Sequence, residues 1–154
     1  MQKFTDLPSD SIVSEPAVPY ILSPIYNAEW SQSSLKVVYD ARNGFTFGDL
    51  LILSKVLNLS LSDLTVIFNL SLRTLQRYDV AHKMDADASS KIIQLSILKE
   101  KGLSVFGDQS SFNEWLKQPV PELENATPLS MLDTPFGYQI LFQILGRMEH
   151  GIFA

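Results

Sequence analysis

Thr134 is followed directly by Pro135, and Gly151 closes the stretch that they open. A threonine hydroxyl caps a helix N-terminus, and proline is best tolerated just inside one, where its missing N–H would have been unpaired anyway. Glycine is the usual left-handed residue just past a helix end. Between these markers Ile140, Ile144 and Met148, with Leu141 and Leu145 beside them, recur at helical spacing. The stretch therefore predicts a helix of about four turns, then a short apolar tail, Ile152-Phe153-Ala154. Chain ends are ordinarily polar and frayed, so an ending this defined points to something that receives it.

The same punctuation recurs along the chain and predicts an all-α fold. Leu35, Val38 and Ala41 have helical spacing, stopped by Asn43-Gly44. Thr46 with Asp49 is a capping-box start for a helix carrying Leu50, Leu53, Val56 and Leu57. Ser62 is expected to cap a short helix with Leu64, Ile67 and Phe68 inside, and Asp87 a longer one reaching about Lys101. In that longer helix Ile92, Leu95, Ile97 and Leu98 are the apolar positions. Gly107 and Asp108 end one helix and start the next, in which Phe112, Trp115 and Leu116 share a face as core anchors. Thr127-Pro128 opens a piece of about one turn.

Asn69-Leu70-Ser71 reads as a tight turn, with Ser71 capping a second short helix from Leu72 to about Tyr78. The pair is a helix-turn-helix by length, turn and amphipathicity. In such a unit the second helix can enter the major groove of DNA. Ser71, Arg73, Thr74, Gln76 and Arg77 are then the candidate contacts, with Leu72 and Leu75 held inside. Glutamine can pair with adenine, and arginine with guanine or phosphate. Equally, two arginines on a solvated face need no ligand.

Composition narrows the classes further. The chain has 154 residues, 45% hydrophobic and 19% charged, enough apolar surface for one domain or two very small ones. No apolar run is long enough for a membrane-spanning helix, and residues 1–6 lack the order of a secretory signal. With no cysteine and only His82 and His150, neither disulfides nor a structural metal site is expected, and a soluble cytoplasmic protein is the default. The net charge of −5 is unevenly spread. Arg73, Arg77 and Lys83 outweigh Asp79 in the helix-turn-helix, whereas from Val105 onward six carboxylates face Lys117 and Arg147. The two ends should meet different partners.

No phosphate loop, paired-histidine metal motif or activated nucleophile is present, so no catalytic residue, metal or cofactor is assigned and an enzyme is not expected. His150 beside Glu149 is not an acid–base pair, because helix neighbours point about 100° apart. Gln139, Gln143, Arg147 and His150 instead form one polar stripe on the last helix. Ile152 would meet little apolar cover from Gly146 or Arg147 in a local helix-end contact, so the tail is expected to be buried elsewhere.

From Leu35 to Ala154 the residues resemble the Xre/MbcA/ParS-type antitoxins, partners of RES-domain toxins. The resemblance rests on Gly44-Phe45-Thr46, on Leu70-Ser71-Leu72-Arg73-Thr74-Leu75-Gln76-Arg77 and on Val105-Phe106-Gly107-Asp108. It also rests on Trp115-Leu116, Pro128-Leu129, Leu132-Asp133-Thr134 and above all the closing Gly146-Arg147-Met148-Glu149-His150-Gly151-Ile152-Phe153-Ala154. Ser89-Ser90-Lys91 departs from the family's Ser-Glu-Arg, and Tyr78 stands where a second basic residue is often found.

Pro8, Pro16, Pro19 and Pro24 interrupt every possible helix in residues 1–30, which are expected to form an irregular arm outside the resemblance. The resemblance implies an Xre-like helix-turn-helix and dimerisation domain (31–84) and a toxin-binding domain (85–154). It implies an antitoxin that blocks the NAD pocket of an NAD-consuming toxin, dimerises, and represses its own operon by binding operator DNA. Carried onto this sequence, Gln143, Arg147, Glu149, His150, Gly151, Ile152, Phe153 and Ala154 are the expected toxin contacts. The alternative is an Xre-type transcriptional regulator whose C-terminal half dimerises or senses a ligand.

Overall fold

The computed structural model describes residues 34–151; the expected arm at residues 1–30 and the tail at 152–154 lie outside the described residues. In chain order the elements are α1 (Ser34–Asn43), α2 (Phe47–Val56), α3 (Leu61–Phe68), α4 (Leu72–Arg77), α5 (Ala86–Phe106) and α6 (Gln109–Lys117). Two 3₁₀ turns (Pro121–Leu123 and Pro128–Met131) and α7 (Pro135–Glu149) complete them. The fold is all-α, as the punctuation predicts, with no named strand among the described residues. Among those residues no single helix is long and apolar enough to cross a membrane.

α5 is the axis, packed against α7, α1 and α6. Its Ile92, Leu95 and Leu98 are buried with Leu50 and Leu53 of α2, Ile67 of α3, Leu75 of α4 and Leu141 of α7 in one apolar cluster. Burying a leucine or isoleucine side chain is worth about 1.5–3 kcal/mol, so a cluster of this extent, rather than helix propensity, holds the short helices in place. The proposed boundary near Met84 falls at a tight backbone junction. There the Met84 N–H donates to Phe45 O at 2.8 Å, Phe47 N–H to His82 O at 2.8 Å, and Gly48 N–H to Val80 O at 2.9 Å. Buried Ser89 adds an acceptor for the Phe45 N–H at 3.0 Å.

The expected capping box of α2 is present, with Thr46 and Asp49 each accepting from the other's backbone N–H. Two other caps differ from expectation. Ser60, not Ser62, caps α3, because Asp63 stands three residues on and returns the second bond of the box. Asp85, not Asp87, caps α5, accepting from Ala88 N–H at 2.8 Å. Asp87 instead lies in the first turn, where a carboxylate suits the helix dipole. α5 also runs beyond Lys101 to Phe106. Gly102, inside this extension, is a packing site: a Cβ there would lie 2.2 Å from the Phe112 ring. The stop comes at Gly107, with φ of +81°, followed by the cap Asp108.

Phe106, Phe112 and Trp115 form an aromatic cluster with ring centroids 5.6–6.0 Å apart, consistent with the anchoring role read for Trp115. On α1, Ala41 is buried and Val37 packs against the core, whereas Leu35 is 71% exposed.

Candidate partner-binding surfaces

α7 begins as its sequence dictates: the Thr134 hydroxyl accepts from Gly137 N–H at 3.2 Å, with Pro135 just inside. Gly137 is required by close approach, since a Cβ would stand 1.6 Å from the Met131 carbonyl oxygen. This contact seats α7 on the second 3₁₀ turn. Tyr138, Leu141, Ile144 and Leu145 then face the core.

At 100° per residue, Phe136, Gln139, Ile140, Gln143, Arg147 and His150 fall within a sector of roughly 100° on the opposite side. Phe136 is 74% exposed and Ile140 42%, while Gln139, Gln143 and His150 are exposed and Arg147 is half-buried. Ile140 was expected on the buried face with Ile144; its position 100° from Gln139 puts it on the rim of the outer sector instead. The outer face is thus apolar at its N-terminal half and polar at its C-terminal half. Phe136 and Ile140 were missed as surface residues by reading for polarity alone, although both keep the spacing of the stripe.

Arg147 has no ion-pair partner among the described residues, whereas Glu149 does. The Lys101 ammonium bonds to Glu149 Oε2, and Ser104 Oγ donates to Oε1 at 3.4 Å. The hydrogen bond and charge of Lys101 hold the Glu149 carboxyl below its ordinary range. Glu149 therefore faces α5 rather than the outer sector, and locks the last turn of α7 to the last turns of α5. Lys101 lies 48 positions from Glu149, beyond any local pattern. The helix then ends at Gly151, with φ of +69° and its N–H donating to Met148 O at 3.1 Å.

The second surface is built by α3 and α4. Asn69, with φ of +52°, ends α3 in the left-handed conformation that asparagine tolerates best among residues with a Cβ. Two residues later Ser71 caps α4, accepting from Thr74 N–H at 3.0 Å while its hydroxyl also bonds that of Thr74 at 2.8 Å. Ser71 and Thr74 are thus mutually engaged. Arg73, Gln76 and Arg77 are exposed, and neither arginine has an ion-pair partner among the described residues. Leu75 is buried as expected, but Leu72 is 44% exposed, because the first position of a six-residue helix lies at the edge of the core. Tyr78 is stacked on His82 at 3.7 Å and meets Phe47 edge-on at 5.5 Å, so it serves packing.

A cleft of about 610 Å³ lies between this surface and α5, lined among others by Asn69, Tyr78, His82, Lys83, Asp85 and Asp87. Its walls carry both charges. No group of acidic, histidine or cysteine side chains suited to a metal ion occurs among the described residues.

Comparison with known proteins places these surfaces in context. Residues 101–151 match the model of the antitoxin Xre/MbcA/ParS C-terminal toxin-binding domain. The match runs from the last turns of α5 through α7 and makes that stretch similar to the toxin-binding domain of the Xre/MbcA/ParS antitoxins. The chain is also similar to the antitoxin Xre of Photorhabdus laumondii, 37% identical over 71 residues, covering 46% of this chain and 48% of that protein. An antitoxin Xre of Yersinia enterocolitica is 28% identical over 69 residues, covering 44% and 47% respectively. The chain thus spans about half the length of the curated relatives that it matches.

Proposed function

We propose that the chain is the antitoxin of a toxin–antitoxin pair and neutralises its toxin by binding through the C-terminal domain. The observation that carries this is the coincidence of the toxin-binding match with a helix whose outer face is unpartnered among the described residues. The toxin implied by the resemblance is a RES-domain, NAD-consuming enzyme, with the end of α7 and residues 151–154 occupying its NAD pocket. Arg147 supports this reading, since a guanidinium without an ion-pair partner among the described residues is available for bidentate pairing. Gln143 and His150 share its face, and Glu149 acts by holding the last turn in place rather than by contact. Occupancy, not chemistry, is then the inhibitory principle.

The test is to titrate the NAD-consuming activity of the product of the adjacent gene with the full chain and with a chain ending at His150. Full inhibition by the first and residual activity with the second are expected. A neighbour with no NAD-consuming activity would remove the RES assignment.

Operator binding belongs to the same proposal. Arg73, Gln76 and Arg77 project from α4 without ion-pair partners among the described residues, on a local excess of positive charge. Two such helices in a homodimer would address two half-sites, and the exposed Leu35 on α1 supports self-association.

A further inference from the structure

We propose that α7 engages the toxin at two separable places. Phe136 and Ile140 form an apolar anchor that supplies affinity, and the end of the helix with residues 151–154 supplies inhibition. The inference rests on the antitoxin reading and names the surface within it that binds without blocking.

Two observations carry it. First, Phe136 and Ile140 are the exposed large hydrophobic side chains of α7, and they lie within the matched toxin-binding region. A solvated phenylalanine and isoleucine one turn apart, flanked by Gln139 and Gln143, have the makeup of an interface centre with a polar rim. Second, the inner face of α7 is committed to the core through Tyr138, Leu141, Ile144 and Leu145, and its last turn is tied back by Glu149 to Lys101. The outer sector is what remains for a partner.

The occupant is the toxin, presenting an apolar pocket that accepts the Phe136 ring with hydrogen-bonding groups at its edge for the two glutamines. A contact of this kind excludes water around a few buried side chains and sets the dissociation rate.

The experiment uses the full chain, its Phe136→Ala/Ile140→Ala variant and the chain ending at His150, with the purified product of the adjacent toxin gene. Kd is measured by calorimetry and residual toxin activity at saturating antitoxin. Circular dichroism confirms that each variant is folded, as expected for exposed positions. The double variant should bind about 10- to 100-fold more weakly yet inhibit fully when saturating. The shortened chain should bind within a few-fold of the full chain yet leave toxin activity in the complex. A double variant with unchanged Kd overturns the proposal, as does one that weakens a dimer of this chain, seen by sedimentation, without affecting toxin binding. Absence of any complex with the full chain would instead overturn the antitoxin reading beneath it.

Discussion

The Lys91 ammonium donates to the carbonyl of Ile67 at 2.8 Å, and a second bond runs from the same nitrogen to the carbonyl of Asp133 at 3.2 Å. Ile67 lies in the last turn of α3, where carbonyls lack helical partners and a cation suits the dipole. Asp133 immediately precedes the cap of α7. One side chain on α5 therefore fastens the end of one candidate surface to the start of the other, and Asn69 reinforces it by donating to Asp133 O at 3.4 Å.

Replacing Lys91 by methionine keeps the aliphatic stem but takes the ammonium donor from the Ile67 carbonyl and leaves the Asp133 carbonyl with Asn69 alone. A loss of about 1–3 kcal/mol is expected, read as a lower urea midpoint with an unchanged slope. Hydrogen exchange should rise first at the amides of Asn69 and Leu70. An unchanged midpoint would show that solvent replaces the ammonium at no cost.

Two glycines of α7 should respond in opposite directions. Gly137→Ala drives a methyl into the Met131 backbone, which no side-chain rotation relieves, and should cost about 3 kcal/mol. At Gly146 nothing lies within 4 Å of an added Cβ, so alanine should stabilise by about 0.5–1 kcal/mol through helix propensity. Thermal denaturation of both variants checks the pair; similar shifts of the same sign would contradict the packing.

Much of this architecture is legible in the residues because its rules are local. Thr46 with Asp49, Thr134 with Pro135, and Gly107 with Asp108 announce their helix ends within four positions. Ser60 and Asp85 were missed in favour of Ser62 and Asp87 because several capping-competent residues stand close together. Which one caps depends on where the preceding segment is pinned, at Leu59 N–H to Ser54 O and Met84 N–H to Phe45 O. The helix read to about Lys101 runs on to Phe106, through Gly102, which is a berth for Phe112. At the candidate site the polar stripe, and the place of Ile140 on its rim, were readable from spacing, but the turning of Glu149 toward Lys101 is a tertiary fact without a local signature.

The Glu149 carboxyl should titrate below the ordinary glutamate range because Lys101, by hydrogen bond and charge, favours its ionised form. A depressed folded-state value means that the tie contributes stability above the unfolded pKa and loses it as pH falls through the folded one. The loss is therefore confined to the acid side of about pH 4.3. Carbon-detected NMR titration should place the Glu149 midpoint below the usual value, and Lys101→Met should move it upward. A midpoint indifferent to Lys101 would dissolve the tie.

Tyr138 is buried, its hydroxyl has no hydrogen-bond partner among the described residues, and burial pushes the phenol well above its usual pKa. Tyr138→Phe removes a desolvated polar group and keeps the ring, so stability should stay level or rise by about 1 kcal/mol. A fall of that size in the urea-derived stability would reveal a partner for the hydroxyl.

Operator binding, finally, should separate α4's arginines from its glutamine. Where Arg73 or Arg77 meets phosphate, replacement by alanine weakens binding evenly across sequences and lowers the slope of log K against log salt by about one unit. Where Gln76 meets a base edge, Gln76→Ala costs about 1–3 kcal/mol at one position and leaves the slope alone. Ser71→Ala should act differently again, weakening DNA binding through the lost α4 cap, because its hydroxyl is already engaged with Thr74. Fluorescence anisotropy with promoter DNA of the chain's own operon, repeated across salt concentrations, distinguishes the three. Equal slopes for all variants and the unaltered chain would show that α4 does not face DNA.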